Sequence, residues 1–208
     1  MKRAPYIAIA GNIGAGKSSF VAFLQSRYAI EPVFEPNDSN PFLERFYEDM
    51  PRWAFASQMY FLAAKLHIHK DLAESAVPIV QDRTIWEDAE IFARNLAETG
   101  VMDGAEYATY QSLYSGIEET LRPPDLLIYL RCPVTVLRRR IRSRGREMES
   151  SIPLKYLRSL DGLYERWFTS YDRSPKLVFE TDRLDPVTDV VACSKIMDAV
   201  EVYFSVNA

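Results

Sequence analysis

Gly11-Asn12-Ile13-Gly14-Ala15-Gly16-Lys17-Ser18 has the spacing of a phosphate-binding loop, with four residues between the outer glycines and then a lysine and a hydroxyl. Such a loop turns successive backbone N–H groups onto phosphate oxygens, and a helix beginning at its end adds partial positive charge. Lys17 can reach the β- and γ-phosphates, and Ser18, with Ser19 beside it, can offer a hydroxyl to Mg²⁺. Asp82-Arg83-Thr84 ends an apolar run; its acid could hold Mg²⁺ or its waters, and its arginine could neutralise a transferred phosphoryl group. Glu35-Pro36 ends another run, where a carboxylate could take the proton of an attacking hydroxyl. Arg140 and Arg144 fall on one helical face and Arg146 follows Gly145, as in an arginine-rich lid that closes over a nucleotide and excludes water. Glu147 and Glu149 directly after them count against a nucleic-acid patch.

These groups need a frame that brings distant segments together. Tyr6–Ala10, Pro32–Glu35, Pro78–Asp82, Asp125–Leu130 and Leu177–Glu180 are short apolar runs and read as strands. Helical patterns separate them: Ser18–Arg27, Trp53–Ala73, Trp86–Glu98, Ala105–Leu121, Pro133–Arg144, Pro153–Tyr171 and Val187–Phe204. Strands alternating with helices predict an α/β fold with a five-stranded parallel sheet covered on both faces. Ligands then bind beyond the carboxyl ends of the strands, where Glu35 and Asp82 fall beside the phosphate loop.

The chain has 208 residues, which suits a single domain over 1–208. Its net charge of −4 argues against a general nucleic-acid binder. Cys132 and Cys193 have neither metal-ligand spacing nor a disulfide framework, as in a reduced, cytoplasmic protein. Met1-Lys2-Arg3-Ala4-Pro5 leads into the first strand without a signal-peptide pattern, and no apolar run approaches the length of a membrane span.

Phe42, Tyr47, Trp53, Gln58, Trp86, Asp88 and Phe92 form an aromatic and polar set, most of it expected in the core. Gln58 and Asp88 differ, being polar within apolar helical stretches; a side-chain amide can read a base edge. His67 and His69 fall on different faces of one helix and read as surface or structural.

Together these residues resemble the deoxynucleoside kinases, the group of deoxycytidine, deoxyguanosine and deoxyadenosine kinases, with detail nearest the bacterial purine enzymes. The match runs from Tyr6 to about Tyr171 and implies a P-loop kinase fold with a lid at about 140–152. It implies that Glu35 is the catalytic carboxylate that accepts the 5′-hydroxyl proton, with Arg83 and Lys17 on the transferred phosphoryl. Asp82 and Ser18 would serve the Mg²⁺ site. Tyr47 and Glu149 would bind the sugar 3′-hydroxyl, Gln58 and Asp88 the base, and Phe92 would stack on it. Arg140, Arg144 and Arg146 would be lid arginines, and Arg183 would sit in a loop around the donor adenine.

Two positions depart from the family pattern. Lys65 stands where an arginine often pairs with the base-pocket aspartate, and lysine lacks the planar fork of arginine. Asp82 replaces the more common glutamate and is one methylene shorter, so that Mg²⁺ would be held through a water. The expected activity is ATP-dependent 5′-phosphorylation of a deoxynucleoside, a purine by preference, with deoxycytidine or broad specificity as the alternative. A nucleoside monophosphate kinase would need arginines for an acceptor phosphate, and Phe34–Phe61 offers only Arg45 and Arg52. A regulatory GTPase would need an Asn-Lys-x-Asp stretch, which is absent. A catalytically dead binding module fits poorly with Glu35, Lys17 and Arg83 all retained. The family also implies a homodimer, for which Trp86–Glu98 and Ala105–Leu121 could supply the helices.

Overall fold

Strand β1 (Tyr6–Ala10) is buried along its whole length. In the computed structural model, which describes residues 3–149, 151–182 and 190–204, it pairs in parallel with β3 (Ile79–Asp82) and β4 (Leu126–Arg131). The short edge strand β2 (Glu31–Val33) and β5 (Lys176–Glu180) complete a parallel sheet of order β2-β3-β1-β4-β5. The register sets Ile9 opposite Asp82, so β1 hands over to the phosphate loop beside the carboxylate that ends β3.

Alternation along β1 divides the core in two. Ile7 and Ile9 face a cluster with Phe20 and Leu24 of α1 (Lys17–Gln25), Leu137 of α7 (Val134–Arg144), and Ile196 and Val200 of α9 (Val190–Phe204). Tyr6, Ala8 and Ala10 face the larger cluster with α3 (Met50–Glu74), α6 (Gly104–Glu118) and α8 (Leu154–Ser170). Burial on both faces is why the central strands β1, β3 and β4 read as continuous apolar runs.

The expected elements are present with shifted ends. β2 stops at Val33, so Glu35 lies in the loop beyond the strand rather than at its end. Pro133 and Pro153 precede α7 and α8 as caps instead of opening them. A short helix, α2 (Leu43–Glu48), was not expected; only Leu43 and Phe46 of it point inward, too few to show a period. The expected Trp86–Glu98 helix is α4 (Ile85–Glu87), a π-helical segment Asp88–Ala93, and α5 (Arg94–Glu98). This stretch packs inside the chain, with Ile85–Ala89 and Ile91–Ala93 all buried. Of it only Arg94 and, at its end, Glu98 are exposed, so little of this half of the expected interface is open to a partner. Val187, where the last helix was expected to begin, lies outside the described residues.

Candidate active site

Arg83 is the only described non-glycine residue with a positive φ, at 62°. Side chains rarely adopt that region, and holding one there costs about 1–3 kcal/mol. The turn is fixed by Arg83 N–H donating to Ile9 O at 3.0 Å and by its guanidinium, which donates to Gly11 O at 3.4 Å and pairs with Glu35. The guanidinium also lies 4.3 Å over the Phe92 ring. Asn37 Nδ2 donates to the other Glu35 oxygen at 3.1 Å. Burial pushes the Glu35 carboxyl up, but Arg83, with Lys65 and Lys17 behind it, holds it well below the usual carboxylate range. Glu35 is thus a fixed anion. Burial holds Tyr47 well above the ordinary phenol value, so it stays neutral and can donate.

At the phosphate loop, Gly16 at φ 99° caps α1 and Gly14 sits at φ 82°. A Cβ on Gly14 would lie 2.9 Å from Ile141 Cγ1 and 3.0 Å from Leu137 O, so α7 packs directly on the loop only because this residue is glycine. Burial lowers the pKa of Lys17, as does Arg83; its ammonium lies 3.8 Å from Asp82 Oδ1 and bonds Asn12 O at 3.3 Å. Ser18 Oγ donates to Asp82 Oδ2 at 2.5 Å, while the buried Asp82 Oδ1 has no hydrogen-bond partner among the described residues. A hydroxyl, a carboxylate and an orphaned oxygen beside a phosphate cradle are hard donors that suit Mg²⁺. No group of three or more His, Cys, Asp and Glu side chains among the described residues could hold a metal without further oxygens.

Three cavities meet at this loop. The largest, about 450 Å³, runs past Gly14–Gly16, Ser19, Phe20, Arg140, Arg144 and Thr181, a size typical of small-molecule sites. Arg140 is tied down there, donating to Ala15 O and to the carbonyl and hydroxyl of Thr181. Arg183 lies outside the described residues. A second, polar cavity gathers Lys17, Ser18, Asp82, Arg83, Glu35, Tyr47, Arg144, Arg146 and Glu149. In it Arg144 pairs with Glu149, and Arg146 reaches the same carboxylate at 3.5 Å. The third is lined by Gln58, Phe61, Asp88, Phe92 and Tyr156, and it shares Glu35, Asn37, Tyr47 and Arg83 with the second.

Fully buried Lys65 pairs with Asp88 at 2.8 Å and donates to Thr84 O at 3.3 Å, so the lysine keeps the pairing expected of an arginine. Burial pushes Asp88 up to about 6, with Lys65 opposing it. Gln58 Oε1 is buried without a hydrogen-bond partner among the described residues. Arg45 and Arg52 lie outside, each over Trp53, and line none of the three cavities. His67 is exposed and His69 is buried, edge-on to Tyr6 and Trp86. The sequence reading did not single out Asn37, Phe61 or Tyr156. Only Asn37, two residues after Glu35 in a turn, carried a signal.

A family model described as deoxynucleoside kinase matches residues 7–205. The chain belongs to the deoxynucleoside kinases. It is a phosphotransferase. It is 36% identical over 196 residues to a deoxyadenosine/deoxycytidine kinase of Bacillus subtilis (strain 168), covering 93% of this chain and 90% of that protein. A deoxyguanosine kinase of Lactobacillus acidophilus is 34% identical, with 93% and 88% covered. A solved deoxyadenosine kinase from M. mycoides, with dCMP and a flexible dCDP bound, superposes with a TM-score of 0.86 at 31% identity, over 95% of this kinase and 99% of that chain. Its fold is therefore the P-loop kinase fold, and no helix among its described residues is long and apolar enough to cross a membrane.

Proposed function

We propose that this kinase transfers the γ-phosphoryl of ATP to the 5′-hydroxyl of a purine deoxynucleoside, held across the cavities that share Glu35. The observation that carries the reading is this shared wall: Glu35 and Arg83 border both the phosphate-loop cavity and the cavity of Gln58, Asp88 and Phe92. A nucleoside seated with its base at Gln58 presents its 5′-oxygen to Glu35 and then to the phosphate loop.

Glu35 orients the 5′-hydroxyl and accepts its proton as the bond from that oxygen to the γ-phosphorus forms and the bond to the β,γ-bridging oxygen breaks, leaving ADP. Its low pKa keeps it in the acceptor form. Lys17, Arg83, Arg144 and Arg146 spread the charge on the phosphoryl oxygens, and positioning supplies much of the rest. Ser18 and Asp82 would hold Mg²⁺, which when bound offsets charge on the β- and γ-phosphates. Neutral Tyr47 donates to the 3′-hydroxyl, and Glu149, once its arginines turn to phosphate, accepts from it. Arg140 borders the donor adenine. Gln58 and Asp88 meet the base edge and Phe92 its face.

Purine preference draws support from the curated relatives, two of which are named for deoxyadenosine and deoxyguanosine. The relative named for both deoxyadenosine and deoxycytidine keeps deoxycytidine as the second reading. The chain acts as one domain, in the cytoplasm, as a homodimer assembled through α6, which carries half-exposed Leu113. A monomer in light scattering at micromolar concentration overturns the dimer. A coupled ATP-consumption assay with Mg²⁺ and each of deoxyadenosine, deoxyguanosine, deoxycytidine and thymidine tests the substrate, and fastest turnover on a purine is expected.

A further inference from the structure

Glu87 is fully buried and has no part in the chemistry derived above. Its carboxylate nevertheless collects four donors from three elements. Oε1 accepts from Gly11 N–H at 3.2 Å and from Tyr164 O–H at 2.9 Å. Oε2 accepts from Thr84 N–H at 2.8 Å and Thr84 O–H at 3.1 Å. Gly11 opens the phosphate loop, Thr84 closes the turn that carries Arg83, and Tyr164 stands on α8, the helix that follows the lid. A second tie joins the same parts, from Asn12 Nδ2 to Leu157 O at 3.1 Å.

We propose that Glu87 is a positioning residue that sets the phosphate loop against Arg83. It rests on the kinase function argued above. Arg83 has a positive φ, and its guanidinium reaches Gly11 O, so small shifts between Gly11 and Thr84 move the arginine relative to the phosphate it serves. A carboxylate suits this joint because it only accepts, and all four partners donate. Glutamine has nearly the same shape, but its amide turns a donor toward either Gly11 and Tyr164 or Thr84. The amide donor then faces a backbone N–H that cannot accept from it, on Gly11 or on Thr84, so one of the two elements loses its tie.

The fold itself has other supports, so the expected loss lies in turnover rather than in folding or affinity. A carboxylate near Lys17 also opposes phosphate electrostatically. A role through charge alone predicts that Glu87→Gln lowers the KM for ATP, whereas positioning predicts lower kcat at nearly constant KM.

The test is steady-state kinetics of wild type, Glu87→Gln and Tyr164→Phe with Mg·ATP and the best deoxynucleoside, beside thermal unfolding of each. Positioning predicts that Glu87→Gln loses about 10- to 100-fold in kcat, as small misplacements do, with both KM values within about threefold. Tyr164→Phe, which removes one donor from the same oxygen, is expected to lose a few-fold in kcat and carries the test if Glu87→Gln does not fold. Unchanged kcat per folded molecule overturns the proposal, as does a tighter KM for ATP as the sole effect. The wild-type arm separates the claims: no turnover on any deoxynucleoside defeats the function, whereas active wild type with equally active variants defeats only the role of Glu87.

Discussion

Two sets of ion pairs surround the phosphate loop, and they differ in their access to water. On the acceptor side, Arg83–Glu35 and Lys65–Asp88 have side chains 8% exposed or less. On the lid, Arg144 and Arg146 reach Glu149 with their own side chains 38% and 39% exposed. Breaking a buried pair leaves a charge with nothing to solvate it and costs about 3–5 kcal/mol. Glu149 is itself only 8% exposed, but each arginine is open to water and the other remains when one leaves, so exchanging either costs less than breaking a fully buried pair. The acceptor side thus holds its charges in place before substrate arrives, while the lid arginines can trade Glu149 for phosphate.

The sharpest way to break this contrast is at Glu35. Glu35→Gln is expected to lower kcat by about 10²–10⁴-fold, the usual worth of a positioned proton acceptor. Calorimetry should still find ATP and nucleoside bound. Unchanged turnover removes Glu35 from that role.

Lys65→Met probes the second buried pair. It strands Asp88 and should lower stability by about 3–5 kcal/mol in chemical denaturation. A loss below about 1 kcal/mol would mean that water reaches Asp88 and that the two sides are less different than their burial indicates.

Acidification should act on affinity before chemistry. Asp88 is raised to about 6, whereas Glu35 is depressed. As pH falls through about 6, Asp88 takes up a proton and loses an acceptor for the base. The KM for nucleoside then rises while kcat holds, and Asp88→Asn should abolish that dependence. The linked stability has the opposite sign. Between about pH 4 and 6 the folded state binds the proton that the unfolded state has lost, so this group's contribution falls as pH rises to about 6 and is constant above it. For Glu35 the contribution is present above its ordinary value and is lost as pH falls through its depressed one.

The smallest structural effect belongs to the lid. Arg144→Ala should lower stability by about 1–2 kcal/mol, less than a fully buried pair, because Arg146 still faces Glu149. Its kcat should still fall about 10²-fold, as when one charge-stabilising donor is removed. A large stability loss would place Arg144 with the buried pairs.

What the sequence made legible follows the same divide. The phosphate loop, Asp82-Arg83-Thr84 and the strands declare themselves because each depends on local spacing or on burial of both faces. Glu35 was readable as a carboxylate at the end of an apolar run, but not its grip on Arg83, 48 residues away. Trp86–Glu98 read as one regular helix that could supply a dimer contact, yet apolar residues all round a helix mean burial, and here they wrap a π-helical segment. That segment adds a residue per turn and so escapes a 3.6-residue pattern, although it is what carries Asp88 and Phe92. Glu87 carries no local signal, because its partners Gly11 and Tyr164 are 76 and 77 residues away.

The central claim is that Glu35 serves one cleft in which an uncharged deoxynucleoside meets ATP. The most direct test is a coupled ATP-consumption assay of wild type and Glu35→Gln with Mg²⁺, run side by side on deoxyadenosine, deoxyguanosine, deoxycytidine and dAMP. Wild-type turnover on a nucleoside, none on dAMP, and loss of that turnover in Glu35→Gln is the predicted result. Turnover on dAMP in place of a nucleoside, or a fully active Glu35→Gln, would contradict it.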